Sequence, residues 1–181
     1  HEEEALLTLL GVTGGAPVER DLLVVDIGGG SSEFAAVGPG RPAEMVGILL
    51  EAKAFHPTRT ARNHLRVLAA AFGVKDRRVN EALELVGLQS VADKKPGKFS
   101  LGMSQRLGIA AAILGEPKYL LLDEPANGLD PEGIVWLREF IKAYADMGNA
   151  VFVSSHLLSE MAQMADNIVV IGKGKLIANT S

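Results

Sequence analysis

Two adjacent carboxylates, Asp123 and Glu124, follow the apolar run Tyr119-Leu120-Leu121-Leu122 and precede Pro125. Such a run fits a short β-strand buried on both faces, and the proline stops it from continuing as regular structure. Acids at the carboxyl end of a buried parallel strand stand where open α/β sheets bind their ligands. One carboxylate there can hold Mg²⁺, directly or through water, while its neighbour polarises an attacking water. Phosphoryl transfer requires that division of labour.

Other residues with chemical potential flank this pair. Upstream, Ser100-Leu101-Gly102-Met103 heads a helical pattern running from Ser104 to Leu114. A hydroxyl, free backbone N–H groups and a positive dipole end together suit a phosphate. Downstream, Asn127-Gly128-Leu129-Asp130-Pro131 is a tight turn into another helix, and the strand Val151 to Val153 ends in Ser154-Ser155-His156. A second apolar run, Leu22 to Val25, leads into Asp26-Ile27-Gly28-Gly29-Gly30-Ser31-Ser32-Glu33-Phe34. Its three glycines let backbone amides approach a phosphate closely, and Ser31 and Ser32 add hydroxyl donors. The residues alone leave two readings open, a phosphate or metal-phosphate loop and an ordinary glycine-rich turn.

The elements that must position these groups are read from periodicity and punctuation. Residues 1–11 fit the end of a helix, with Gly11 as its stop, and Thr13 to Asp21 fits a loop. Gly38 to Pro42 is loop, and Val46 to Leu50 a short strand. Thr60 to Phe72 has helical apolar spacing behind a threonine cap, and Val79 to Val86 is a second helix ended by Gly87. Ser100 to Leu114, Pro131 to Asp146 and Leu157 to Met164 follow as helices. Two last strands, Ile168 to Ile171 and Leu176 to Ala178, are joined by a turn over Gly172-Lys173-Gly174-Lys175. Trp136 and Phe140, one helical turn apart, fit core contacts. His56 and His64 lack metal-ligand spacing and fit the surface. Arg62, Arg66, Arg77 and Arg78 fit a solvated helical face.

The chain's 181 residues suffice for one well-buried domain or two small ones, and its 48% hydrophobic content fits a soluble α/β protein. No window approaches 18 uninterrupted apolar residues, so no membrane span is expected. The acidic opening His1-Glu2-Glu3-Glu4 is unlike a basic, apolar leader. The absence of cysteine excludes disulfides and thiolate metal sites and is compatible with a reducing cytoplasm. Charge is unevenly spread. Residues 1–45 hold eight acids and two arginines, whereas the remainder holds sixteen bases and fourteen acids. That shift points to two regions of different origin, joined between Phe34 and Met45. No basic patch is interleaved with aromatics, so nucleic acid is not an expected partner.

Four of these segments, in this order and spacing, resemble the motifs of ABC-type ATPases. Phe99 to Arg106 resembles the signature motif, with Phe99 for the usual Leu, Leu101 for the first Gly and Met103 for the Gln. Tyr119 to Glu124 resembles the Walker B strand, Asn127 to Asp130 the D-loop and His156 the switch histidine. Glu51 stands where the Q-loop glutamine is usual. The resemblance implies, for residues 45–181, a partial P-loop NTPase fold: an α/β domain with a mainly parallel sheet and a helical subdomain at about residues 57–114. By the same resemblance Asp123 serves Mg²⁺, Glu124 activates water and His156 senses the γ-phosphate of ATP. Ser100 and Gly102 contact the nucleotide held by a partner subunit, and Asp130 lies at the dimer interface. The implied partners are an intact ATPase subunit and a transmembrane permease, with the chain cytoplasmic and peripheral to the membrane and the transport an export of drugs or peptides.

The segment Leu23 to Phe34 resembles the second phosphate loop of the exopolyphosphatase and guanosine pentaphosphate phosphatase family, within the actin-like ATPase superfamily. The residues around Glu4 resemble that family's catalytic-glutamate segment. This implies Glu4 as general base, Asp26 and Glu33 as metal or water ligands, and Gly28, Gly29, Gly30, Ser31 and Ser32 as phosphate donors. The resemblance covers about forty residues and lacks the family's first phosphate loop, so Glu4 also reads as a solvated helix charge. Residues 1–44 thus read as an actin-like fragment and the whole as a chimera.

An ABC ATPase also needs G-x-x-x-x-G-K-[ST] ahead of the Q-loop, whose amides and lysine hold the β- and γ-phosphates. No Gly-Lys-Ser or Gly-Lys-Thr occurs in the chain. The expectation is therefore an ATP-binding subunit with little or no activity alone. Its rivals are a phosphatase acting on polyphosphate or a guanosine polyphosphate, and a non-catalytic interaction module.

Overall fold

The computed structural model describes residues 22–28, 31–37, 46–49, 55, 56, 58–156, 158–172 and 175–180. The chain divides into two compact units, residues His1–Val46 and Gly47–Ser181.

In the first unit, β1 (Leu22–Gly28) pairs antiparallel with β2 (Ser31–Val37) in a sheet of their own. The register sets Asp26 opposite Glu33, Ile27 opposite Ser32 and Gly28 opposite Ser31. This corrects the phosphate loop expected over Gly28 to Ser32, because Ser31 and Ser32 continue the ladder as a strand. Two antiparallel strands joined by a two-residue Gly-Gly connection favour a tight hairpin, which leaves the residues after it to pair. It also answers where the apolar run Leu22 to Val25 goes. It pairs with β2, and the three-stranded sheet of the chain consists of other strands. Glu4, Gly29 and Gly30 lie outside the described residues, as does the helix expected over residues 1–11.

The second unit is built on a sheet of order β3-β4-β5, comprising Val46–Leu49, Tyr119–Asp123 and Ala150–Ser154. β4 is its central strand, and Leu120, Leu121 and Leu122 are all buried. β5 runs parallel to β4, residue for residue from Tyr119 opposite Ala150 to Asp123 opposite Ser154. A parallel pair needs a crossover, and the helix Pro131–Asp146 supplies it. β3 approaches the neighbouring chain so closely that a Cβ on Gly47 would stand 2.3 Å from the Ala112 carbonyl oxygen. Only glycine fits there.

Three helices make the helical part. α1 (Ala61–Ala71) starts at Thr60, whose hydroxyl accepts from the Asn63 N–H at 3.2 Å, and buries Ala61, Leu65 and Ala69 at i, i+4 and i+8. α2 (Arg77–Leu85) buries Val79, Ala82 and Leu83. Two 3₁₀ turns, Gln89–Val91 and Pro96–Lys98, lead to α3 (Leu101–Ala112). α3 buries residues around most of its circumference, Leu107, Ile109 and Ala110 among them, as a helix enclosed by both the other helices and the sheet must. Full burial of one such leucine contributes about 1.5–3 kcal/mol.

α4 (Pro131–Asp146) has proline in its first turn, where no intrahelical donor is lost, and the Asp130 carboxylate caps it by accepting from the Gly133 N–H at 2.9 Å. Trp136, Phe140 and Tyr144 stack along it with centroids 5.6 and 5.8 Å apart, and the Tyr144 hydroxyl donates to the Pro117 carbonyl at 2.5 Å. The expected core role of Trp136 and Phe140 is what this packing gives them. The helix expected over Leu157 to Met164 is a single turn, α5 (Leu158–Met161). β6 (Ile168–Gly172) and β7 (Lys175–Thr180) form the last hairpin, antiparallel, with a register shift between Val170 and Ile171.

Two surface expectations need correction. His64 is half-buried, its ring edge-on to Phe55 at 5.1 Å, with Nδ1 buried and without a hydrogen-bond partner. The arginines of α1 and α2 are not a merely solvated face, since Arg62, Arg66 and Arg78 each pair with acids. No helix among the described residues is long and apolar enough to cross a membrane.

Candidate functional site

β4 delivers Asp123 and Glu124 to its carboxyl end, and β5 delivers Ser154 beside them. The Ser154 hydroxyl donates to Oδ1 of Asp123. The Glu124 N–H lies 3.1 Å from both Ser154 Oγ and the Ser154 carbonyl oxygen. One serine thus fixes the first carboxylate and the backbone of the second. Glu124 has φ +44, a left-handed conformation uncommon for a residue with a side chain. The cross-strand bonds to Ser154 hold it there, and local strain of this kind concentrates at functional sites.

His156 completes the group. Its Nδ1 lies 2.9 and 3.0 Å from the two carboxylate oxygens of Glu124. An ionised carboxylate only accepts, so Nδ1 carries the hydrogen and Nε2 is left for another partner. The histidine is largely exposed, 64% against 31% for Glu124, so the pair opens to solvent on the histidine side.

The signature-like segment reaches the same place from α3. Gln105, only 5% exposed, donates from Nε2 to the Glu124 carbonyl at 3.4 Å. The Ser100 hydroxyl caps α3 by accepting from the Met103 N–H at 3.2 Å. The turn from Asn127 to Asp130 packs on the head of α3. Leu101 lies over Gly128, where a Cβ would come within 1.9 Å of its Cδ2, and Gly128 has φ +71. Leu129 lies against Gly102, at 3.3 Å from where a Cβ would stand. Gly128 is therefore required twice, by its dihedral and by the leucine above it.

The structure thus joins Asp123, Glu124 and His156 in one group. Gln105 ties α3 to the Glu124 backbone, and Leu101 and Leu129 pack the head of α3, with Ser100 and Gly102, against the turn that ends at Asp130. Glu51 lies outside the described residues. Of the glycine-rich segment, Asp26, Gly28, Ser31, Ser32 and Glu33 belong to the β1–β2 ribbon of the other unit. The reading of the sequence missed Ser154 and Gln105 as positioning residues. Gln105 had a signal, a polar residue four positions after Leu101 and four before Ile109 on an apolar stripe. Ser154 had only its place at the end of a strand.

Among the described residues no three histidines, cysteines or acids converge. The donor set does suit Mg²⁺ held by one carboxylate, with phosphates and water supplying the other ligands. Of the two strand-end acids, Asp123 has one oxygen ordered by Ser154.

Comparison with known proteins gives these motifs a family. Residues 39–127 match the model of the ABC transporter family. The chain is similar to the bacitracin transport ATP-binding protein of Bacillus licheniformis, at 47% identity over 134 residues that cover 73% of this chain and 44% of that protein. It is 42% identical over 138 residues to a lantibiotic transport ATP-binding protein of Streptococcus pyogenes, covering 76% of this chain and 60% of the relative. The chain spans about half the length of the curated relatives it matches. Among solved structures it resembles the ATP-binding subunit of an ABC transporter, with a TM-score of 0.65 and 29% identity over 75% of this chain and 58% of that one. The fold also matches a dimeric ATP-binding cassette in a post-hydrolysis state, with a TM-score of 0.67 and 22% identity over 76% of this chain and 62% of that one. These relatives and structures are ATP-binding proteins or cassettes of the ABC type. Sequence match, fold and strand-end acids agree in their likeness to part of an ABC transporter ATP-binding domain.

Proposed function

We propose that the chain is part of the ATP-binding subunit of an ABC exporter, with Glu124 as the group that activates water and Asp123 as the group that serves Mg²⁺. The observation that carries this reading is the contact of His156 Nδ1 with both oxygens of Glu124 at the carboxyl end of β4. In that arrangement Glu124 accepts the proton of the attacking water. His156 orients the carboxylate through Nδ1 and presents Nε2 to a γ-phosphate. Ser154 holds both acids in register, so little reorganisation is needed as negative charge develops. When bound, Mg²⁺ supplies charge neutralisation of the phosphates. Ser100 and Gly102 contact a nucleotide held by a partner subunit, Asp130 lies at the contact between subunits and Glu51 serves as the Q-loop residue. The bacitracin and lantibiotic transport names of relatives support a peptide-like cargo and a permease partner, with the subunit peripheral to the membrane on its cytoplasmic side.

Residues 45–181 are the ATPase part in this reading, with the helical subdomain at about 57–114. The chain has no Gly-Lys-Ser or Gly-Lys-Thr. Phosphate clamping by lysine and backbone amides is charge-assisted and supplies much of the affinity in such sites. The chain alone therefore has little or no ATPase activity. The test is phosphate release at saturating Mg-ATP, with the chain alone and with an intact ATP-binding subunit added. Turnover by the chain alone that Glu124→Gln abolishes would overturn the expected inactivity, and turnover that Glu124→Gln leaves unchanged would overturn the role given to Glu124.

A second reading concerns residues 1–44 as an exopolyphosphatase-type fragment with Glu4, Asp26 and Glu33 as its acids. It is supported by the β1–β2 register, which sets Asp26 opposite Glu33 beside a Gly-Gly connection. Loss of phosphate release from polyphosphate in a Glu4→Ala variant supports it, and an inert wild-type chain ends it.

A further inference from the structure

The helical part carries a series of guanidinium–carboxylate pairs. Arg62 Nε donates to Asp93 at 3.0 Å, and Arg66 reaches both oxygens of Asp76 at 2.8 and 3.1 Å. Arg78 Nη1 pairs with Glu81 and lies 3.4 Å from Glu116. Lys75 and Arg77 stand outside this series, with no acidic partner among the described residues. Asp76 lies between them in sequence, but its carboxylate is turned to Arg66.

Beside these two cations is a cavity of about 250 Å³, between the turn from α1 to α2 and the turn from α3 to β4. Lys75, Arg77 and Arg78 line it together with Leu114, Gly115 and Glu116. Three cations thus face one carboxylate. The Arg78 Nε is buried without an acceptor. Glu116 is a weak occupant, since its side chain is 69% exposed, its contact with Arg78 is long, and its φ is +54.

We propose that this cavity binds a phosphate group, as a phosphate ester or a diphosphate. An arginine fork, a second guanidinium and an ammonium in one recess match the charge and geometry of a phosphate better than those of a neutral ligand. The volume is several times the roughly 30 Å³ share of a water molecule, which leaves room for a phosphate with a substituent. An entering dianion displaces Glu116 from Arg78 and takes up the charge of Lys75 and Arg77. The same chemistry is offered by a soluble phosphate ester and by a phospholipid headgroup.

Two binding measurements separate these sources. The first is calorimetric titration with inorganic pyrophosphate in the presence of chelator, which silences any Mg²⁺-dependent binding at Asp123. The second is co-sedimentation with phosphatidylcholine vesicles with and without phosphatidic acid. Lys75 and Arg77 are exposed, so a Lys75→Ala, Arg77→Ala double variant retains the fold. Arg78→Lys keeps the charge and removes the fork. Binding of pyrophosphate that falls at least about tenfold in both variants supports a soluble ligand. Binding confined to phosphatidic acid vesicles, with the same losses, supports a headgroup. No binding in either measurement overturns the proposal, as does binding that the double variant or Arg78→Lys leaves unchanged.

Discussion

Two stretches of this chain share a local pattern, an apolar strand that leads into an acid and then into small or turn-forming residues, and they become different things. Leu22 to Asp26 enters an antiparallel ribbon in which Asp26 is an interior member of the ladder, opposite Glu33. Tyr119 to Asp123 becomes the central strand of a three-stranded sheet, and its acids emerge at the strand's end. The difference lies in what each stretch meets. β4 has a strand on both sides and helices packed on it, so its end is a fixed platform where Ser154, His156 and Gln105 converge on the acids. A two-stranded ribbon is marginally stable by itself, and among the described residues no third strand joins it. A strand-plus-acid pattern therefore marks a site only when the tertiary structure presents the acid at an edge.

The comparison can be broken most forcefully at α3, the helix that the platform rests on. Leu107→Ala removes a fully buried side chain and is expected to cost about 2–5 kcal/mol, measured by urea unfolding followed through Trp136 fluorescence. A loss below about 1 kcal/mol would mean that the second unit is not organised around this helix. Gly128→Ala is next. It places a Cβ into Leu101 at a positive φ, and a loss of about 1–3 kcal/mol is expected in the same measurement. A neutral result would show that the turn and the signature-like segment are not packed together.

Ser154→Ala sharpens the comparison by removing the one side chain that holds both acids. A stability loss of about 1–2 kcal/mol is expected, because the Asp123 carboxylate and the Glu124 N–H each lose a partner. No change would mean that solvent orders the acids equally well. The smallest effect is at His64. Burial, and then the nearby Arg59 and His56, hold its pKa below the ordinary 6.5. The unfolded chain therefore takes up the proton first on acidification. The contribution of neutral His64 is fully present above about pH 6.5 and is lost as pH falls towards the lower folded value. Unfolding midpoints measured from pH 7.5 to 5 should decline, and His64→Gln should flatten that decline. An unchanged slope would place the pH dependence elsewhere.

Much of this was legible in the sequence where one signal acted alone. Thr60 announced a helix start by a capping side chain and caps in the structure, whereas Ser100 and Asp130 also cap their helices, a role the sequence reading did not give them. Leu120 to Leu122 read as a strand buried on both faces, and all three are buried. What was not legible depended on partners distant in sequence. Ser31 to Glu33 is a strand because it pairs with Gly28 to Asp26, and the glycine and serine content of the stretch suited a phosphate loop as well as a hairpin. His64 looked exposed because nothing local reveals that Phe55 covers it. The arginines of α1 and α2 read as solvated because Asp93 and Glu116 lie far from them in the chain. Within the site, the acids were visible as a pair, but the serine and glutamine that fix them were not.

The central claim is that the proposed acids stand at the end of β4 while the chain carries no Gly-Lys-Ser or Gly-Lys-Thr to clamp the phosphates beside them. Calorimetric titration of the chain with Mg-ATP, with polyphosphate as a parallel ligand, tests it most directly. The account predicts no micromolar binding of Mg-ATP from a folded chain that depends on Asp123. Micromolar binding of Mg-ATP that is lost in Asp123→Asn would contradict it, because the strand-end site would then hold nucleotide unaided.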